Sequence, residues 1–284
     1  MLKWKPGRRA RQWLAVLSVP LAACMLLRWF EHQQIFHPDP LHGSSPEVLG
    51  RPYEDFYFGD SPRLHGWFFP ASPESPREHL AVLVCHGNGG NISHRLDQCD
   101  KLLRFGVNVL LFDYRGYGKS GGKPDEEGTY RDAQTAYQWL HKKGFSEKHI
   151  VVLGEAQGGA IATELALREP VGGLILQSTF TSIPDIGAEI FTWLPVRRLC
   201  TIYYDTLSKL PRLNIPVAVM HSRDDRLIGF HHAEKNFAAA NEPKLFWELK
   251  GGHNETLAAG KMEYIQGLEK FFSVLENRPQ LQTK

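Results

Sequence analysis

Residues 151–160 have the sequence V-V-L-G-E-A-Q-G-G-A, and this spacing is typical of a turn that serves nucleophilic catalysis. A short apolar run ends at Gly154, small residues follow, and a helix-like stretch begins at once. In G-x-S-x-G turns this layout raises a serine hydroxyl above the edge of a sheet. Here the central position is Ala156, which carries no hydroxyl. The segment therefore predicts a nucleophile turn that lacks its nucleophile.

Four other segments place chemically useful residues directly after apolar runs. They are H-G-N-G-G-N (86–91), D-Y-R-G-Y-G-K-S (113–120), H-S-R-D-D (221–225) and G-G-H-N (251–254). In open α/β sheets, ligands bind at the carboxyl ends of the strands. A histidine there can take the proton of an attacking hydroxyl, while a carboxylate holds its other ring nitrogen in the required tautomer. The five segments together predict nucleophilic chemistry at one edge of a sheet.

The hydropathy pattern predicts the elements that position these segments. Y-E-D-F-Y-F and L-H-G-W-F-F-P indicate a β-hairpin, and L-A-V-L-V-C is an uninterrupted apolar run of the kind that buried parallel strands show. Strand-like and helix-like segments then alternate, which predicts an α/β fold with a mostly parallel sheet and helices on both faces. Residues 179–214 break the alternation and predict a small helical cap. Helices are expected over Ser93–Phe105, Thr129–Lys143, His231–Ala240 and Lys261–Leu275.

Taken in order, H-G-N-G-G-N-I-S-H-R, D-Y-R-G-Y-G-K-S, G-E-A-Q-G-G-A, H-S-R-D-D and G-G-H-N resemble the α/β-hydrolase superfamily. More specifically, the chain resembles the membrane-anchored ABHD-type serine hydrolases from about Phe36 to Leu275. The resemblance implies an α/β-hydrolase fold and hydrolysis of carboxylic esters or thioesters through an acyl-enzyme. It implies neither a metal nor an organic cofactor. Ser222 and Gly229 are mild departures, since the family usually has glycine and proline there.

The resemblance also assigns roles, because the family places nucleophile, acid and base in that order along the chain. It implies that Ala156 occupies the nucleophile position and that His253 is the base. It selects Asp225 as the acid over its neighbour Asp224, which remains the alternative. The other implied site residues are the backbone oxyanion donors Asn88 and Gln157 and the turn glycines Gly154, Gly158 and Gly159.

Several other polar residues at the strand ends have structural interpretations. We expect His86 to form hydrogen bonds within its own loop rather than to act in catalysis. We expect Asp113 and Arg115 to tie neighbouring loops together as an ion pair. His231 and His232 are expected to cap an exposed helix rather than to bind a metal.

The alanine at position 156 leaves two hypotheses about function. Loss of a triad nucleophile lowers turnover about a millionfold, and nothing in the sequence activates Ser178 or Thr179 as a substitute. Alanine does not relieve the backbone strain of such a turn, and the other site residues are intact, which favours a deliberate or recent Ser→Ala change in an active hydrolase. The alternative is a natural pseudoenzyme that acts as a membrane-associated lipid- or protein-binding module. A haloalkane dehalogenase or an epoxide hydrolase would need aspartate at position 156.

Residues 1–35 form a separate N-terminal segment, and residues 36–284 form the predicted hydrolase domain. A basic cluster precedes the apolar stretch Trp13–Leu27, and this pattern predicts an export signal or a signal anchor. The stretch is shorter than the roughly 20 residues that span a bilayer, although flanking residues extend it. As an anchor it would leave the main domain on the non-cytoplasmic side. The alternatives are a lipoprotein modified at Cys24, a cleaved secretion signal and a soluble helix.

Composition limits the classes of partner. The chain has 284 residues, of which 23% are charged, and its net charge of +2 gives no signal for nucleic-acid binding. Its four cysteines are far apart, which disfavours a metal site or a disulfide framework. The expected ligand is a small-molecule or lipid-like acyl substrate, and the aromatic residues within 180–204 either line its pocket or pack in the core. The sequence leaves the oligomeric state open.

Overall fold

The protein was studied as a computed structural model, which describes residues 8–277, with side chains from residue 19 onward. It divides into two units after His37. The first contains helix α1 (Arg8–Ile35), with Pro20 in its interior. Within the described part of the chain, no helix combines the length and the apolar character that a membrane span requires. Lys3 and Lys5, part of the basic cluster, lie outside the described residues.

The second unit contains the elements that the sequence predicts. The first strand, β1 (His37–Pro38), lies at the division between the units. Its other strands are β2 (Glu54–Phe58), β3 (Leu64–Phe69), β4 (Ala81–Cys85), β5 (Gly89–Gly90), β6 (Asn108–Asp113), β7 (Ile150–Glu155), β8 (Gly173–Gln177), β9 (Val217–Ser222) and β10 (Lys244–Leu249). Its helices are α2 (Leu96–Leu103), α3 (Glu126–Lys142), α4 (Gln157–Arg168), α5 (Ile183–Ile190), α6 (Val196–Leu199), α7 (Phe230–Ala239) and α8 (Lys261–Glu276).

Eight strands form one sheet in the order β10-β9-β8-β7-β4-β6-β3-β2. The predicted hairpin is present as the antiparallel pair β2 and β3, and β3 also runs antiparallel to β6. All other neighbours in the sheet are parallel, as the alternation of strands and helices predicts. The parallel register pairs Cys85 with Gly154 and Glu155 with Gln177. The carboxyl ends of β4, β7 and β8 therefore meet at one edge.

The sheet is covered by helices on both faces because alternate strand residues point to opposite sides. Val82, Leu111 and Leu153 face a core cluster that also contains apolar residues of α2 and α8. The residues between them on the same strands, such as Leu83 and Val152, are equally buried. They face the opposite side, which α3, α4 and α7 cover. Because helices shield both faces of the sheet from water, the strands have uninterrupted apolar sequences.

Some boundaries differ from the sequence prediction because capping side chains decide where a helix begins. Helix α3 starts at Glu126, three residues before the predicted start, since the side chain of Asp125 accepts a hydrogen bond from Gly128 N. The helix predicted from Ser93 begins as a 3-10 turn over Ile92–Arg95, capped by Asn91. The cap segment between β8 and β9 contains α5, α6 and the 3-10 turn Leu210–Arg212.

The prediction for His231 and His232 was wrong for the second residue. His232 is fully buried, and its Nδ1 accepts a hydrogen bond from Thr181 N at 3.2 Å and lies 2.9 Å from the Thr181 hydroxyl oxygen. His231 is exposed and contacts Glu189 of α5 at 2.8 Å. The histidine pair thus joins α7 to the cap instead of capping a solvent-exposed helix.

Candidate active site

The turn between β7 and α4 has a strained backbone at its central residue. Ala156 has φ 49° and ψ −115°, a conformation that residues with a Cβ rarely adopt and that costs about 1–3 kcal/mol. Two hydrogen bonds hold it there: its N–H donates to Gln177 O at 2.9 Å, and its carbonyl accepts from Gly159 N at 3.0 Å. The surrounding sheet and helix therefore impose a shape that alanine itself disfavours.

The three glycines of the turn are required by close backbone packing. A Cβ on Gly158 would lie 1.9 Å from Cys85 O, and one on Gly154 would lie 2.4 Å from Gly158 O. A Cβ on Gly159 would lie 2.1 Å from Thr179 Oγ1. Because real Cβ atoms do not approach other atoms so closely, α4 can start directly above β4 and β7 only with glycine at these positions.

The structure brings His253 and Asp225 into direct contact, although they lie on separate loops. His253 Nδ1 lies 2.7 Å from Asp225 Oδ2. The other oxygen, Asp225 Oδ1, accepts hydrogen bonds from Leu227 N at 2.9 Å and Ile228 N at 2.8 Å. The neighbouring Asp224 is exposed, and its backbone N–H donates to Ser222 Oγ at 3.1 Å. Asp225 is thus the carboxylate that orients the imidazole.

The surroundings of Asp225 keep it ionised. Burial by itself would raise the pKa of Asp225. The hydrogen bond and the charge of His253, together with Ile228 N–H, outweigh burial and hold the pKa below its ordinary value. An ionised carboxylate at this place accepts the Nδ1 proton of the ring, so the Nε2 atom of neutral His253 is left as the basic nitrogen.

Ala156 and His253 line the same cleft, which has a volume of about 430 Å³. Asn88 also lines it, and the Asn88 carbonyl is held by the Tyr117 hydroxyl at 2.9 Å. Gln157 is the first residue of α4, so its backbone N–H has no acceptor within the helix. A Cβ added to Gly87 would lie 3.6 Å from Ala156 Cβ, so this loop borders position 156. Of the predicted site residues, Asn88, Ala156 and His253 line this cleft, Asp225 contacts His253, and Gln157 follows Ala156 at the start of α4.

Known proteins with similar sequences or structures agree with this architecture. The family Hydrolase_4, described as serine aminopeptidase S33, matches residues 76–200. The uncharacterized protein Rv2307c of Mycobacterium tuberculosis is 39% identical over 216 residues, which cover 75% of this chain and 76% of that protein. The α/β-hydrolase domain-containing protein WAV2 of Arabidopsis thaliana is 29% identical over an alignment that covers 89% of this chain and 92% of WAV2. The chain belongs to the α/β-hydrolase superfamily.

Solved hydrolase structures share the fold. The esterase Pf2001 of Pyrococcus furiosus superposes with a TM-score of 0.69 at 22% sequence identity. The superposition covers 84% of this chain and 97% of the esterase. The prediction of an α/β-hydrolase fold is therefore confirmed.

The loop after β4 is held in place by buried side chains on the side away from the cleft. His86 donates from Nδ1 to Gly87 O at 2.7 Å, and Tyr114 donates to His86 O at 3.0 Å. Burial lowers the pKa of His86 to about 4. Asp113 Oδ1 accepts a hydrogen bond from Ile92 N at 2.9 Å, just beyond the loop. His86 thus has the structural role that the sequence predicts.

The predicted ion pair between Asp113 and Arg115 was wrong. Arg115 forms a bidentate pair with Asp132 of α3, with its closest contact at 2.8 Å. Asp113 is instead surrounded by the rings of His42, His65 and His86. Arg115 lies beyond the end of β6, where its backbone N–H also donates to Asp132 Oδ2 at 2.8 Å, so the arginine is held against α3.

Two hydroxyl groups near the turn do not replace a serine at position 156. The Thr179 hydroxyl donates to Gln177 O at 3.2 Å and packs where a Cβ of Gly159 would lie. The Ser178 hydroxyl is buried and has no hydrogen-bond partner among the described residues. No base activates either hydroxyl in this part of the chain.

An ion pair between residues far apart in the sequence borders the cleft. Arg95 Nε lies 2.8 Å from Glu155 Oε2, and both residues line the cleft beside Ala156. Arg95 also donates to Gly89 O at 3.3 Å, which connects the turn to the loop after β4. The sequence places the charged residue Glu155 next to Ala156 in the turn, which is a signal that it borders the site. Its partner Arg95 could not be predicted, because it lies 60 residues earlier.

Proposed function

We propose that this protein has the site of a serine hydrolase of carboxylic esters or thioesters, with Ala156 in the position of the nucleophile. The observation that carries the proposal is the 2.7 Å contact between His253 and Asp225 in a cleft that Ala156 also lines. The positive φ of Ala156 supports it, because a residue in that conformation projects its side chain above the sheet.

With serine at position 156, the geometry supports acyl transfer in two steps. His253 Nε2 takes the proton of the hydroxyl as its oxygen attacks the carbonyl carbon, and Asp225 stabilises the imidazolium that forms. Backbone N–H groups of Asn88 and Gln157 hold the oxyanion. The leaving alcohol or thiol receives the proton from His253. Water then releases the acyl group from the serine by the same route.

The chain with Ala156 cannot complete the first of these steps. It has no oxygen at the tip of the turn, so no acyl-enzyme forms. Activity is expected to fall about a millionfold below that of the serine form. The oxyanion donors and substrate binding retain at most about a thousandfold acceleration over water.

The cleft favours substrates with a short or polar acyl group. Among the described residues that line it, Leu227 is the only large apolar side chain. The others are mostly glycine or polar residues, including Arg95 and Asn254. The cap aromatics Trp193 and Tyr203 are exposed to solvent rather than packed around this cleft. A long hydrocarbon chain would gain little burial here.

The decisive experiment is the Ala156→Ser substitution. The variant is expected to show burst release of p-nitrophenol from p-nitrophenyl acetate and labelling by a fluorophosphonate probe, and to be slower with a long-chain acyl thioester. The matched control is the double variant Ala156→Ser with His253→Asn, which should show no burst. If the single variant is correctly folded and inert while the unmodified protein binds acyl lipids or a protein partner, the binding-module hypothesis replaces the hydrolase.

A second proposal concerns location: the N-terminal segment attaches the protein to a membrane surface. Large apolar side chains on α1 are exposed, among them Val19, Leu21, Leu26 and Trp29. The basic residues before them in the sequence would favour anionic headgroups. The full chain should sediment with anionic phospholipid vesicles, and the double variant Leu21→Asp with Leu26→Asp should remain in the supernatant. Equal partitioning of the two proteins would contradict the proposal.

A further inference from the structure

A cluster of three histidines and one carboxylate lies at the carboxyl end of β6, outside the residues that line the cleft. It consists of Asp113, His42, His65 and His86, and we call it the histidine cluster. His42 Nε2 lies 3.4 Å and His65 Nδ1 lies 3.8 Å from Asp113 Oδ2. His86 Nε2 lies 3.6 Å from the other oxygen, Asp113 Oδ1. Asp113, His65 and His86 are almost completely buried.

The proton on His65 is fixed by a second carboxylate. His65 Nε2 lies 2.8 Å from Asp55 Oδ1, and a carboxylate can only accept a hydrogen bond. In the neutral ring the proton is therefore on Nε2, and Nδ1 carries a lone pair. That Nδ1 atom is buried without a hydrogen-bond partner and points toward Asp113. Two electron-rich atoms thus face each other with nothing positive between them.

His86 repeats this arrangement on the other side of the carboxylate. Its Nδ1 donates to Gly87 O at 2.7 Å, so the lone pair of the neutral ring is on Nε2. The Nε2 atom is also buried without a partner. Leaving a buried polar atom unpaired is unfavourable, because the atom loses its hydrogen bonds to water without replacement. The unpaired Nδ1 atom of His65, which faces Asp113 Oδ2, indicates that the cluster accommodates a cation beside that oxygen.

We propose that His42 Nε2, His65 Nδ1 and Asp113 Oδ2 bind a divalent transition-metal ion of the Zn²⁺ class. These three atoms lie within 4.8 Å of one another. Ligands of tetrahedral zinc, at 2.0–2.1 Å from the metal, are about 3.4 Å apart, which matches the spacing of His42 and Asp113. Small side-chain movements bring His65 into range. Two imidazoles and one carboxylate leave the fourth position for water, and His42 is partly exposed there.

Neighbouring residues orient the ligands as metal sites require. The Asp55 carboxylate accepts from His65 Nε2, the arrangement in which a carboxylate fixes a metal-binding histidine. The segment that carries His42 is held in place because Asn91 donates to Leu41 O at 2.7 Å and Gly43 N donates to Ser93 Oγ at 2.9 Å. Ile92 N donates to Asp113 Oδ1, the oxygen that the ion does not use. The site would therefore brace the loop that carries Asn88, and its role is structural.

A second histidine group on the cap lacks the lone pairs that a metal needs. Glu189, His231 and His232 also lie close together. His232 Nδ1 already accepts from the backbone N–H of Thr181, so its Nε2 carries the proton and faces Glu189. A metal at that nitrogen would have to displace the proton. In the histidine cluster, His65 Nδ1 already carries an unpaired lone pair, and only His42 would have to hold its proton on Nδ1 for Nε2 to bind the ion. The histidine cluster is therefore the better metal site of the two.

Zinc titration of tag-free, chelator-treated full-length protein tests the proposal without any activity assay. Calorimetry and metal analysis should give one Zn²⁺ per chain, and an excess of about 100 Kd should raise the Tm by about 5 °C. The variant His42→Asn should bind Zn²⁺ at least about 100-fold more weakly and lose the Tm shift. Asp55→Asn, which alters only the partner of His65, should weaken binding about 10-fold. His79→Asn, a change at an exposed histidine outside the cluster, should leave binding unchanged.

Two results would overturn the proposal. The first is the absence of stoichiometric Zn²⁺ binding in the unmodified protein, which would mean that a proton on His65 fills the place of the ion. The second is binding of equal affinity in His42→Asn, with an unchanged circular dichroism spectrum, which would place the zinc at other residues. Because none of these measurements involves Ala156 or His253, failure here leaves the proposed hydrolase function untouched.

Discussion

Asp225 and Asp113 lie near the carboxyl ends of strands in one sheet, and both contact histidines, but their hydrogen bonds differ. Asp225 receives two backbone N–H groups on one oxygen and His253 on the other. Asp113 receives one backbone N–H and the more distant His42 Nε2 at 3.4 Å, and it also faces two imidazole lone pairs. A carboxylate with its hydrogen bonds complete can orient a single base, whereas one short of donors is suited to a cation. The two sites differ in the number of hydrogen-bond donors around the carboxylate and not in the types of residue present.

The largest expected effect comes from neutralising Asp225. In an Ala156→Ser background, Asp225→Asn should lower the acylation rate about 10⁴-fold, because the amide cannot hold His253 in the required tautomer. Asp224→Asn in the same background should change the rate less than about twofold. Stopped-flow release of p-nitrophenol measures both. A comparable loss in the two variants would mean that Asp225 has no special role.

Removing the Asp113 carboxylate should lower the stability of the protein. Asp113→Ala should lower the free energy of unfolding by about 3 kcal/mol, since it leaves Ile92 N–H and the His42 Nε2–H group without their acceptor. The control Asp224→Ala, at an exposed carboxylate, should change it by less than about 0.5 kcal/mol. Urea unfolding monitored by fluorescence in the presence of a chelator gives both values. An Asp113→Ala variant as stable as the control would refute the structural role of the histidine cluster.

A smaller effect is expected at the turn beside Asp225. Ala156→Gly should raise the free energy of unfolding by about 1 kcal/mol, because glycine relieves the positive φ while adding some entropy to the unfolded chain. Ala156→Ser keeps the Cβ and should leave stability unchanged within about 0.5 kcal/mol. Thermal unfolding of the three proteins in parallel measures the strain. A destabilised glycine variant would show that the turn is not strained in solution.

The smallest expected effect is the change in the contribution of Asp225 to the free energy of unfolding as the pH is lowered. The pKa of Asp225 is lower in the folded protein than its ordinary value of 3.8, so the unfolded chain binds the proton more readily. The stability that Asp225 contributes is therefore complete above that value and is lost as the pH falls through the folded pKa. Unfolding free energies of the unmodified protein and of Asp225→Asn should accordingly converge below pH 3.8. If the difference between the two unfolding free energies increased below pH 3.8, this would contradict a lowered pKa of Asp225 in the folded protein.

Residue pattern predicted most of the fold, because strand and helix periodicities are local properties. The hairpin, the parallel strands and the turn between β7 and α4 all occur where the apolar runs and glycines indicate. The prediction failed where a side chain's partner is distant in sequence. Asp113 meets His42, 71 residues away, rather than the nearby Arg115. His232 is buried because it bonds to Thr181, 51 residues earlier.

By itself, the sequence determined the α/β framework, the glycine turn around position 156 and the absence of a hydroxyl there. Chain order and local spacing are sufficient for those conclusions, because each depends on residues within a few positions of one another. The resemblance to the family had already selected Asp225 over Asp224, and the tertiary structure supplied the contact of Asp225 with His253. The tertiary structure alone decided that three histidines converge on Asp113. These outcomes depend on which loops the sheet register brings together and on which backbone N–H groups remain to satisfy each carboxylate.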